Sequence, residues 1–151
     1  MSGENRLGRW SDVIADTEAT AAEYRERGWT AIAVHPGDVN PVISERRLDV
    51  LLSGSAFDEV RSMMDDAAID AVRIYAAEEA RVQYRLIVAE DTDASMAICV
   101  PTFLSRSDFV QLRGGADDEP LTVRLRPLDD RDVVEITLSD STLFFSPDEA
   151  H

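Results

Sequence analysis

With 151 residues, 44% hydrophobic and 30% charged, the chain has material for one core and lacks the composition of a disordered or fibrous protein. No apolar run nears the roughly 20 residues that span a bilayer, and the opening MSGENRLGRW has no apolar h-region, so neither a membrane span nor a signal peptide is expected. A formal net charge of -15 repels nucleic-acid backbones and anionic membranes, so neither is expected as a partner.

The first element expected is an amphipathic helix over 7–27. Trp10, Val13, Ile14, Thr17, Ala21 and Tyr24 recur at the spacing of one helical face, and Gly28 is the stop. Residues 29–34 (WTAIAV) read as a strand closed by the turn His35-Pro36-Gly37-Asp38, in which Gly37 is expected at positive φ and Asp38 bonds the backbone. A short loop holding Pro41 leads to a strand over 47–52. Ser55 and Asp58 then imitate a capping box, which predicts a helix led by Ser55, with Phe57, Val60, Met63, Met64 and Ala67 as its apolar face.

Strands are expected at 71–77, 82–90 and 95–101, the last two joined as a hairpin by DTDA. A helix at 105–113 carries a serine cap and a Gly114-Gly115 stop. LTVRLR at 121–126 alternates with period two, and VVEITL at 133–138 is the last strand. The order α-β-β-α-β-β-β-α-β-β predicts a single α+β domain over 1–151, a mostly antiparallel sheet covered by two or three helices.

All 15 basic residues are arginine, and Asp outnumbers Glu. At about 1 M salt the Debye length is roughly 3 Å, so dense surface carboxylates stop repelling over distance and keep the surface hydrated. Lysine's long apolar stem is the less suitable cation there, and arginine's fork pairs well with carboxylates. The pattern points to a halophile. A GC-rich mesophile would also favour Arg over Lys, but codon bias alone does not produce the acidic excess. One cysteine, Cys99 in the apolar run MAICV, fits a buried side chain and a reducing cytoplasm.

Trp10 through Asp16, Glu18-Ala19-Thr20-Ala21, Glu23-Tyr24-Arg25, Gly28-Trp29, the HPGD turn, Arg126-Pro127-Leu128 and Phe144-Phe145 carry a resemblance over nearly the whole chain. The sequence resembles an uncharacterised family of small acidic haloarchaeal proteins, a domain of unknown function. That resemblance implies a source and no activity.

Among candidate sites, His35 and Asp38 stand out, because strand ends are where sites form in open sheets. Imidazole and carboxylate across a Pro-Gly turn could hold a metal or act as base and orienter. Against this, the same residues make an ordinary turn, and the only other histidine is His151. Asp91-Thr92-Asp93-Ala94-Ser95 imitates the start of a calcium loop, but Met96 and Thr102 occupy the positions that need Gly and Glu. Arg46-Arg47 reads as a solvated pair or a minor anion spot. The run from helix 57–67 through three strands, helix 105–113 and strand 121–126 has the order of restriction-endonuclease-like cores, without their acid and lysine on the third strand. No phosphate loop and no nucleophile elbow occurs.

No catalytic set is complete. The reading is a cytoplasmic, non-enzymatic module that binds a protein or a small ligand, with no cofactor. The alternative is a metal-dependent hydrolase-like enzyme using His35 and Asp38.

Overall fold

The computed structural model describes residues 2–65, 67–79, 81–114, 119–129 and 131–145, with side chains from Trp10 onward. Helix α1 (Ser2–Glu26) begins earlier than its apolar periodicity, and Gly28 at φ +86° ends it. Val13, Thr17, Ala21 and Tyr24 are buried, as the spacing predicts.

The strands are β1 (Thr30–Ala33), β2 (Asp38–Val42), β3 (Arg47–Leu52), β4 (Ala71–Glu79), β5 (Val82–Asp91), β6 (Met96–Ser105), β7 (Leu121–Pro127) and β8 (Val134–Leu138). Helices α2 (Gly54–Met64), α3 (Arg106–Arg113) and α4 (Thr142–Phe145) complete the order, with a 3-10 turn at Ile43–Glu45. The α+β class and the expected order hold. Two elements join them, β2 and α4. Strand β2 was hidden by Pro41, which is tolerated because β2 lies at a sheet edge.

The strands divide into two mixed sheets, β1-β6-β5-β4 and β2-β3-β7-β8. Pairings β1–β6 and β3–β7 are parallel, while β2–β3, β4–β5, β5–β6 and β7–β8 are antiparallel. One core lies between the sheets, built from Leu48, Val50, Ile87, Ile98, Val123 and Ile136 with Phe57 of α2 and Phe109 of α3. A second, smaller core lies between α1 and the outer face of the first sheet, where Ala21 and Tyr24 meet Leu86, Val88, Ala97 and Cys99.

These layers explain the strand patterns. Strands β5 and β6 are covered on both faces and are buried along nearly their whole length. Strands β3, β7 and β8 alternate, since only one face of their sheet is covered. On the wet face, Arg124 stands opposite Glu135 and pairs with it at 2.9 Å.

Three local expectations are corrected. The cap of α2 is Ser53, not Ser55: Ser53 Oγ accepts from Ala56 N at 3.2 Å, and its carbonyl accepts from Phe57 N at 2.9 Å. The Ser55/Asp58 spacing imitated a capping box, but the cap, an interaction of about 0.5–2 kcal/mol, belongs two residues earlier. Gly37 is not at positive φ, and a Cβ added there would meet nothing within 4 Å. Its N–H instead donates to Leu51 O at 2.9 Å, so the turn is held from β3. Finally, α3 carries the chain out of the first sheet into the second, so the nuclease-like order does not form one sheet.

Candidate functional site

His35 and Asp38 sit where the chain passes from β1 in one sheet to β2 in the other. The two side chains take different partners. His35 Nε2 lies 3.0 Å from Glu18 Oε2 on α1, with both side chains about half exposed. Asp38 Oδ1 accepts from Val39 N at 3.0 Å. Among the described residues, no three His, Cys, Asp or Glu side chains gather as a metal ion would require. His151 lies outside the described residues.

The other sequence candidates acquire structural roles. Arg46 is not solvated. It adopts φ +46°, and its Nη1 donates to Leu112 O (2.7 Å) and Arg113 O (3.1 Å), the last carbonyls of α3. Its Nη2 donates to Glu119 O and Ser141 Oγ. Arg47 pairs with Asp49 and Glu45 instead. In the DTDAS turn, Asp91 is buried and accepts from Ala68 N and Ala94 N, while Asp70 accepts from Thr92. These bonds are those of a structural hairpin. Burial pushes the Cys99 thiol up to about 11, so it stays protonated at neutral pH.

The concave surface lies elsewhere, between the C-terminal half of α1 and strand β4. Helix α1 packs chiefly over β1, β5 and β6, with β4, which α4 approaches, lying beside it. The resulting groove has a volume of about 360 Å³, with walls from Val13, Asp16, Ala19 and Glu23 of α1 and from Tyr75 and Ala77 of β4. Leu86 forms part of its floor.

A polar recess of about 560 Å³ continues it past Glu23 and Tyr75, reaching Tyr24, Arg27, Arg73 and Glu90. Glu90 is nearly fully buried, with its side chain 5% exposed. It accepts from the Tyr24 hydroxyl and from Arg73 Nε at 3.3 Å. Arg27 stacks over the Tyr24 ring at 4.5 Å, with Trp29 beyond it. A buried carboxylate is retained only where such donors satisfy it.

Burial, then the bond to Glu90 and its charge, push the Tyr24 phenol up to about 12. The neutral phenol is therefore favoured in the fold. That contribution is complete below the ordinary value of 10.0 and is lost as pH rises through about 12. Urea melts across this window should show wild-type stability falling more steeply than that of Tyr24→Phe. Parallel curves would count against the Tyr24–Glu90 bond.

Over residues 2–146 the sequence matches a family of unknown function (DUF7529). The chain belongs to that family. No curated protein and no solved structure matches it.

For this family member, the polar recess escaped sequence reasoning. Its parts come from residues 24, 73 and 90, which no spacing rule connects. One signal was available: Glu90 closes VQYRLIVAE on the same face as Leu86 and Val88, and Tyr24 ends the apolar stripe of α1. A carboxylate on a covered face demands a donor from the covering helix.

Proposed function

We propose that the protein is a non-enzymatic binding module whose ligand docks in the groove between α1 and β4. The observation that supports this is the junction of an apolar-floored groove with convergent polar groups, Glu90 held by Tyr24 and Arg73 at one end. Concave apolar surface with a few fixed polar groups is the usual form of a ligand site. The same groups are engaged with one another, which suits recognition better than proton transfer. No helix among the described residues is long and apolar enough to cross a membrane. The chain's charge and arginine-only cations support a cytoplasm of molar salt as its setting.

The test uses N-phenyl-1-naphthylamine, an uncharged apolar fluorescent probe suited to a groove with acidic walls, added to the folded protein. One site per chain is expected. Ala77→Phe should weaken it about tenfold, or about 1.4 kcal/mol, with an unchanged melt. Binding that ignores Ala77→Phe, or no binding at all, would remove the groove as the site.

A further inference from the structure

We propose that the outer edge of β4 takes a basic, extended segment of another protein as a fifth strand of the first sheet, a partner assignment that rests on the groove reading above. Strand β4 is an edge strand, and no strand among the described residues pairs with its outer side. The other three edges are blunted. Strand β1 has four residues, β2 carries Pro41, and β8 has five residues. Strand β4 runs nine residues, AVRIYAAEE, without a proline or glycine.

Such an edge presents a row of unpaired N–H and C=O groups, which natural proteins normally shorten, interrupt or cover. Here it remains long, and Tyr75 stands 54% exposed beside it. The groove under α1 lies next to that edge. Every second side chain of an added strand would point to the α1 side of the sheet, toward Tyr75 and the groove, while the main chain supplies the hydrogen bonds.

Charge selects the occupant. Asp16 and Glu23 line the groove from α1. A cationic segment is attracted to this wall. Molar salt screens charges beyond roughly 3 Å, so the selection acts through direct contact: a basic side chain pairs with Asp16 or Glu23, whereas the β4 of a second copy carries one arginine against two glutamates. The partner segment therefore alternates apolar and basic residues over about the length of β4.

The probe is a blocked nine-residue peptide alternating lysine and valine, matched to β4 in length, beside its glutamate–valine counterpart. Amide hydrogen exchange of residues 71–79 and backbone chemical shifts are read with and without peptide. The basic peptide should slow exchange at outward amides of β4 at least about tenfold and bind more weakly as salt rises. The acidic peptide should do neither.

Successive residues alternate between bonding β5 and facing outward. Of Tyr75→Pro and Ala76→Pro, one therefore keeps the wild-type melt, and that variant should lose peptide protection. Equal binding to it, with shifts spread over the acidic surface, would reduce the effect to general charge attraction and overturn the proposal. So would a sedimenting dimer with β4 protected in the absence of peptide. Edge protection that survives the loss of the naphthalene probe's site would support the strand pairing while removing the groove reading. The probe's site with no edge protection would overturn the pairing alone.

Discussion

Arg85→Ala should destabilise the protein by about 3–5 kcal/mol, the largest effect of any arginine truncation in the chain. Arg85 lies on the inner face of β5, 5% exposed, where a strand residue would ordinarily be apolar. Its Nε donates to Phe144 O at 2.6 Å and its Nη1 to Tyr84 O at 2.9 Å. The guanidinium also lies 4.8 Å from the centre of the Phe109 ring. It thus ties β5 to α3 and α4 at once. Truncation leaves a cavity and deprives buried carbonyls of their donor. Arg85→Met restores most of the volume and none of the hydrogen bonds, so it should recover about half the loss. Urea midpoints read both changes, and a loss under about 1 kcal/mol for the alanine variant would show that α4 does not depend on this contact.

Arg46→Ala should cost about 2–4 kcal/mol, because four acceptors at the end of α3, at Glu119 and at Ser141 lose one shared donor. The backbone supplies an internal control. Arg46 sits at φ +46°, a conformation that disfavours residues with a Cβ by about 1–2 kcal/mol. Arg46→Gly should therefore be less damaging than Arg46→Ala, although it removes the same side chain. Arg47→Ala, which breaks an exposed pair with Glu45 and a largely covered one with Asp49, should cost less, about 1–2 kcal/mol. Equal effects at 46 and 47 would contradict the helix-end role. Arg46→Lys should recover little, since an ammonium cannot reproduce the planar fork that reaches Leu112, Arg113 and Ser141 together.

The sequence made the long periodic elements legible. Helix α1 declared itself by its stripe and Gly28, β7 and β8 by alternation, and α3 by Ser105 and Gly114. Local chemistry fixed these elements, so local reading found them. Strand β2 was missed because Pro41 argues against a strand unless its edge position is known, and position is a tertiary fact. The long-range pairing of the strands was equally invisible, but its trace was present: β5 and β6 carry apolar residues on both faces while β3, β7 and β8 alternate, which already distinguishes a doubly covered sheet from a singly covered one. Arg46 and Arg47 look identical as a dipeptide and separate only when α3 arrives beside one of them. His35 stood out for its rarity, whereas the concave surface is built from common residues whose meeting depends on the packing of α1.

The two sheets are interleaved along the chain. Thr30 of β1 waits for Met96 of β6, and Arg47 of β3 waits for Thr122 of β7. Neither half of the polypeptide contains a whole sheet, so neither half is a folding unit. Neighbouring sequence can build the β4-β5-β6 meander and the β2–β3 and β7–β8 pairs, and the meander, the largest of these, is the natural nucleus. Everything else must pay for long loop closure before any contact rewards it, which places refolding in the slow range of milliseconds to seconds. During synthesis, β2 and β3 leave the ribosome with their inner faces bare and stay so until β7 follows. At about 5–20 residues per second that exposure lasts several seconds, and the nascent chain must remain unaggregated throughout.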